Sequence, residues 1–116
     1  MNGFCHIEIP CIDMKKIAEF YEKVFGWEIT MMPEMEYALF KTPAGPGGGF
    51  SKQAKIAKEN GIALYIEVDD IDKVFQKIES YGGKKVQPKT QISPEFGYAA
   101  TFADIEGNAL GLWSKK

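Results

Sequence analysis

The segment GFCHIEIP near the start of the chain holds the residues whose types and spacing are best suited to chemistry. It contains the single histidine, His6, with Glu8 two residues later. Because side chains alternate along a strand, His6 and Glu8 share one face while Ile7 and Ile9 share the other. An imidazole beside a carboxylate could ligate a metal ion, contact a ligand or exchange protons near neutral pH, or make only a hydrogen bond. All of these interpretations are open from the segment alone.

An internal repeat indicates which elements position these residues. Residues 6–29 align without gaps on residues 63–86, and the later segment 45–51 aligns on 107–113. Each copy begins with a short alternating strand, followed by an aspartate, Asp13 or Asp70, that is a suitable N-cap. Apolar residues at helical spacing then continue to Gly26 in the first copy and Gly82 in the second. Further strands are predicted at 27–32, 36–42 and 47–51, and at 84–88, 97–103 and 108–113.

The repeat predicts an α+β fold of two tandem βαβββ modules within one structural domain, forming a half-open barrel with a central cleft. The predicted boundaries are 1–51 for the first module, 52–60 for a polar connector and 61–116 for the second module. With a helix covering the Ile7/Ile9 face of the sheet, the opposite faces are predicted to line the cleft. The predicted cleft residues are His6, Glu8, Tyr65 and Glu67, with Phe40, Phe102, Tyr98 and Trp113 as aromatic surfaces for stacking. Alternatively, these four aromatic residues pack the two copies, or a second subunit, together.

Composition excludes several classes of partner. The net charge is −2, and the fourteen basic residues are all lysines, which argues against nucleic acid as a partner. No apolar run approaches the roughly 20 residues of a membrane span, and the N-terminus lacks the pattern of a signal peptide. Cys5 and Cys11 would lie about 20 Å apart on one strand, too far for a disulfide, and both are expected in the core. Two unbridged thiols predict a cytoplasmic protein.

Two segments carry a resemblance to a known family. HIEIPCIDMKKIAEFYEKVFGWEI resembles the first module of the vicinal oxygen chelate superfamily, and DIEGNALGLW resembles its closing strand. That superfamily includes glyoxalase I, extradiol dioxygenases, fosfomycin-resistance enzymes and bleomycin-binding proteins. The resemblance covers nearly the whole chain and implies the duplicated fold and a homodimer, but it does not choose among these chemistries.

The resemblance also implies where a metal ion would bind. Metal-dependent members take ligands from four symmetric positions, which here are His6, Gly49, Ala63 and Gly111. Only His6 can coordinate a metal, whereas catalytic zinc and nonheme iron sites need about three protein ligands. No cofactor is therefore expected, although a displaced metal site using Glu8 and Glu67 is an alternative.

Two functions from different classes remain open, and the first is favoured because three of the four positions implied for a metal have no side chain that can coordinate one. The first is a metal-free protein that binds a small, partly apolar or aromatic molecule in its cleft. The second is a lyase- or isomerase-type enzyme that uses His6, Glu8 and Glu67, either as acid and base groups or around a displaced metal.

Overall fold

The chain forms two compact units, residues 1–56 and 57–116. The computed structural model describes residues 2–52, 56 and 61–116, and the described parts of the two units are called the first and second module below. Most of the predicted connector at 52–60 lies outside the described residues.

Both modules have the same plan of one helix packed on a four-stranded mixed sheet. The first contains β1 (Ile7–Pro10), α1 (Met14–Phe25), β2 (Glu28–Met32), a 3-10 turn (Pro33–Met35), β3 (Tyr37–Lys41) and β4 (Gly48–Ser51). The second contains β5 (Tyr65–Glu67), α2 (Ile71–Ser80), β6 (Lys84–Ser93), β7 (Gly97–Ala103) and β8 (Ala109–Ser114). The sheet orders are β1-β4-β3-β2 and β5-β8-β7-β6, and in each sheet the first two strands are parallel. The predicted α+β fold of two βαβββ modules is confirmed.

Capping residues fix where both helices begin, as predicted. Asp13 Oδ1 accepts a hydrogen bond of 3.2 Å from the backbone N–H of Lys16, and Asp70 Oδ1 accepts one of 3.1 Å from that of Lys73. These bonds satisfy amide groups that have no partner inside the helix. Helix α1 ends at Gly26, whose φ of 72° lies in the left-handed region that glycine adopts without strain. Within the described residues, neither helix is long and apolar enough to cross a membrane.

Aromatic and aliphatic side chains fill the space between each helix and its sheet. In the first module the Tyr21 ring lies 5.3 Å from that of Phe50, and Phe40 lies 5.0 Å from Phe50 and 4.6 Å from Trp27. In the second module the fully buried apolar side chains are Ile71, Phe75 and Ile78 of α2 with Phe102 and Leu112 of the sheet. Burial of this apolar surface holds each helix on one face of its sheet and leaves the other face for function.

The placement predicted for Cys5 is wrong. Cys11 is buried, as expected, but Cys5 is exposed. The first strand begins only at Ile7, so Cys5 precedes it and does not follow its alternation. The two thiols are not bridged, which agrees with the prediction.

Strand β6 is longer than the predicted 84–88 and continues to Ser93. The predicted range was the counterpart in the repeat of the strand at 27–32, and Pro88 at its end has no N–H for a sheet hydrogen bond. The structure accommodates the proline because β6 is an edge strand, and its pairing with β7 shifts register between Gln87 and Thr90. Proline is tolerated at edges and bulges of this kind.

Candidate functional site

The open face of the first sheet, on the side opposite α1, brings the candidate polar residues together. Glu8 of β1 lies opposite Gly49 of β4, which in turn lies opposite Leu39 of β3. Phe40 and Phe50, one residue away along these strands, point to the other face and are buried in the core. The alternation of strands therefore separates the polar site from the core.

Three side chains on this face form one hydrogen-bonded group, called the His6–Glu8–Tyr37 cluster. His6 Nε2 lies 2.7 Å from Glu8 Oε2 and 2.8 Å from the hydroxyl oxygen of Tyr37. The Tyr37 hydroxyl donates a hydrogen bond to the same oxygen of Glu8. The rings of His6 and Tyr37 are nearly parallel, with an interplanar angle of 10°. The sequence prediction included His6 and Glu8 but missed Tyr37.

A glycine in the neighbouring strand allows Tyr37 to reach this position. The Tyr37 ring lies over Gly49, where an added Cβ would overlap its hydroxyl oxygen and ring carbons. Any other residue at position 49 would therefore displace the ring and its hydroxyl from His6 and Glu8. The absence of a side chain at Gly49 is thus a requirement of the cluster.

The electrostatics of the cluster separate the pKa values of its two acidic groups. Burial raises the pKa of Tyr37. The hydrogen bond that Tyr37 donates to Glu8, together with the negative charge of Glu8, raises this pKa further, to about 12. Partial burial alone would raise the pKa of Glu8. The hydrogen bonds from Tyr37 and His6 and the charge of His6 lower this pKa by more than burial raises it, so it lies below its usual 4.5. At neutral pH, Glu8 is therefore ionised and Tyr37 holds its proton.

The second module places a different tyrosine on a glycine at the matching position of its sheet. Tyr65 of β5 lies opposite Gly111 of β8, and an added Cβ at Gly111 would overlap the Tyr65 ring. Because the ring rests on Gly111, its other side remains open, and the residue is 58% exposed. In the repeat, Tyr65 corresponds to Glu8 and Gly111 to Gly49.

The Tyr65 ring forms one wall of a groove of about 530 Å³ in the second module. The pairing of β6 with β7 shifts register between Gln87 and Thr90, and residues of this irregular stretch line the groove. The lining residues are Tyr65, Gln87, Pro88, Thr90, Gln91 and Ile92, with residues 99–101 of β7. None of these described lining residues carries a charge, so the groove offers an aromatic ring, apolar carbons, amides and hydroxyls.

The other predicted site residues lie in several places. Glu67 and Trp113 face each other on the open side of the second sheet, and Trp113 Nε1 donates a hydrogen bond of 2.7 Å to the carbonyl of Phe96. Tyr98 lies on the opposite side of β7, with Lys89 Nζ 4.7 Å from its ring centroid. Phe102, like Phe40, is buried in the core of its own module and is not part of the open face.

The four positions that the resemblance implies for a metal ion do not together offer a set of ligands. Of His6, Gly49, Ala63 and Gly111, only His6 has a donor atom, and tyrosine rings occupy the space beside both glycines. Among the described residues, no group of three or more His, Cys, Asp or Glu side chains is arranged to hold a metal ion. A site at the superfamily positions would lack the three protein ligands that such metals need.

Comparison with known proteins establishes the family. A model of the Glyoxalase/Bleomycin resistance protein/Dioxygenase superfamily matches residues 3–112. The chain belongs to this superfamily. It is 28% identical over 116 residues to a glyoxylase-like domain-containing protein of Didymella fabae, covering 94% of this chain and 91% of the relative.

Other relatives show how widely the fold is used. The chain is 25% identical over 125 residues to the anthracycline biosynthesis protein DnrV of Streptomyces peucetius, covering 89% of this chain but only 43% of DnrV. A crystal structure of a mutant of the fosfomycin resistance protein FosX from Listeria monocytogenes, in complex with Mn(II) and 1S,2S-dihydroxypropylphosphonic acid, superimposes with a TM-score of 0.82. The superposition covers 100% of this chain and 92% of FosX, and the two sequences are 16% identical. A likeness at this identity shows that the two proteins share a fold and shows nothing more.

The raised pKa of Tyr37 predicts a specific sensitivity to alkaline pH. In the unfolded chain this hydroxyl loses its proton near pH 10, but in the folded protein it does so near pH 12. Its contribution to stability is therefore fully present below pH 10 and is lost as pH rises towards 12. Tyr37→Phe should lose less stability than wild type between about pH 9 and about pH 11, measured by urea unfolding.

Tyr81→Phe is a matched control because Tyr81 is an exposed tyrosine of the second module, outside the cluster. It should behave as wild type over the same pH range. An equal loss of stability in wild type and Tyr37→Phe would show that the hydrogen bond from Tyr37 to Glu8 does not stabilise the fold.

Proposed function

We propose that this protein binds a small, uncharged, partly aromatic molecule in the groove of its second module. The observation that carries the proposal is the Tyr65 ring, which is held on Gly111 with its other side open towards the groove. A ring fixed in this way loses little conformational freedom when a planar ligand stacks on it. The proposed binding requires no metal ion at the superfamily positions.

The lining of the groove supports an uncharged ligand with hydrogen-bonding groups. Gln87, Gln91, Thr90 and Thr101 supply amides and hydroxyls, and Thr101 Oγ1 donates a hydrogen bond of 3.3 Å to Gln87 Oε1. Pro88 and Ile92 add apolar surface. A phosphonate or carboxylate ligand would need a lysine or arginine for charge pairing, and none of the described lining residues is basic.

The volume and the family relationship agree with a ligand of a few fused rings. A groove of about 530 Å³ is within the usual range for small-molecule sites. One relative is named for anthracycline biosynthesis, and anthracyclines are built on a planar ring system with hydroxyl and carbonyl substituents. An anthracycline aglycone is uncharged and fluorescent, so it is a suitable probe of this proposal.

Tyr65→Ala should weaken binding of an anthracycline aglycone about tenfold, which corresponds to about 1.4 kcal/mol. The expected cause is the loss of the stacking surface. Titration of the aglycone with protein, followed by its own fluorescence, gives the Kd. Tyr65→Phe keeps the ring on Gly111 and should bind within about twofold of wild type.

Tyr81→Ala is the matched control, because it removes an exposed tyrosine that does not line the groove. It should leave the Kd unchanged. The proposal is contradicted if wild type does not bind the aglycone, or if Tyr65→Ala binds it as tightly as wild type does.

A second candidate function is enzymatic and is favoured by the His6–Glu8–Tyr37 cluster. Isomerases and lyases often begin by removing a proton from carbon next to a carbonyl group. A carboxylate, an imidazole and a phenol within hydrogen-bonding distance of one another could accept that proton and donate a hydrogen bond to the oxygen of the substrate. Glu67 belongs to the second module and is not needed for this arrangement.

Deuterium exchange at the α-carbon of hydroxyacetone, followed by proton NMR, tests this second candidate. Wild type should accelerate exchange, and Glu8→Gln should lower the accelerated rate by roughly a hundredfold because the accepting carboxylate is lost. Glu34→Gln, which removes an exposed carboxylate from the 3-10 turn, should have no effect. Exchange that is equally fast in wild type and Glu8→Gln would exclude the cluster as the source of the base.

A further inference from the structure

Three different donor atoms of the His6–Glu8–Tyr37 cluster converge on one point of the first sheet. They are the imidazole nitrogen Nε2 of His6, the carboxylate oxygen Oε2 of Glu8 and the hydroxyl oxygen of Tyr37. Each lies within hydrogen-bonding distance of the other two, so they form the corners of a small triangle. We propose that this triangle is a metal site that takes ferric iron, with Tyr37 as a phenolate ligand.

The dimensions of the triangle suit one face of a coordination octahedron. Adjacent ligands bound at about 2.1 Å to an octahedral ion lie about 3.0 Å apart. The two distances from His6 Nε2, 2.7 Å to Glu8 and 2.8 Å to Tyr37, need to lengthen by a few tenths of an ångström. The contact between the Tyr37 hydroxyl and Glu8 Oε2 is shorter than these and must lengthen more. Such a shift is possible because the side chains of His6 and Glu8 are 43% and 46% exposed.

The backbone already holds these three ligands close together. His6 immediately precedes β1 and Glu8 is the second residue of the strand, and the contact between their side chains places both on the same side. Tyr37 reaches them from β3 because Gly49, on the strand between, leaves room for its ring. This set of ligands differs from the four positions implied by the resemblance. His6 belongs to both sets, whereas Glu8 and Tyr37 belong only to the proposed one.

The chemistry of the donors favours a trivalent ion. A carboxylate and a phenolate are hard, negatively charged oxygen ligands, and imidazole binds iron readily. When iron binds, the Tyr37 hydroxyl gives its proton to water and its oxygen forms a bond to the iron. No electron is transferred in this step. The three side chains would occupy three coordination positions on one side of the ion. The other three positions would lie on the exposed side of the cluster, where water or a bidentate ligand can bind.

The proposal is tested by adding ferric nitrilotriacetate, one equivalent at a time, to the purified protein. Bonding of phenolate to Fe(III) produces a charge-transfer absorption band in the visible range, which neither bound hydroxide nor the free chelate reproduces. Wild type should develop this band and saturate at one iron per chain. Tyr37→Phe keeps the ring on Gly49 but should give no band, and Glu8→Gln should lower the affinity by roughly tenfold or more.

Tyr98→Phe is the matched control, since Tyr98 lies on the other face of the second sheet and contacts Lys89. It should keep the band unchanged. Circular dichroism of each variant shows whether the fold is retained. Absence of the band in wild type, or a band that persists in folded Tyr37→Phe, would overturn the proposal.

Discussion

The close contact between a tyrosine ring and a glycine on a neighbouring strand is the constraint on which both candidate sites depend. In the first module, Tyr37 lies on Gly49 and thereby brings its hydroxyl to His6 and Glu8. In the second module, Tyr65 lies on Gly111, which fixes its ring at the wall of the groove. In both cases the residue that supplies the function is held by a residue that has no side chain.

The two modules use the same framework for different surfaces. At corresponding positions of the repeat, the first module has Glu8 where the second has Tyr65. The first module therefore carries a polar cluster with an ionised carboxylate, whereas the second carries an uncharged groove with an open ring. The framework itself depends on the core faces of the strands, and the side chains on the open faces are free to diverge after duplication.

Much of the fold could be predicted from the sequence because local signals and the repeat agree. The caps at Asp13 and Asp70, and the end of α1 at Gly26, follow from short-range hydrogen bonding and backbone conformation, which are properties of a few adjacent residues. The end of β6 was not predictable in the same way, because Pro88 is tolerated only through pairing with β7 as an edge strand.

The site was only partly predictable because it depends on strand register. Alternation along the predicted first strand placed His6 and Glu8 on one face, and the structure brings them into contact although β1 begins only at Ile7. Tyr37 is 29 residues from Glu8, and it was missed because only the pairing of β3 with β4 brings it over Gly49. The same alternation, applied to the predicted strand 36–42 with Phe40 in the core, would have placed Tyr37 on the open face.

The most direct test of this account uses the single histidine of the chain, whose ring signals can be assigned in NMR spectra without ambiguity. At fixed pH, Gly49→Ala should move the His6 ring signals in the same direction as Tyr37→Phe does, because an added methyl group displaces the Tyr37 hydroxyl. Gly3→Ala, at a position with no neighbouring atoms within 4 Å, should leave them in place. His6 signals that stay at their wild-type positions in folded Gly49→Ala would contradict the account.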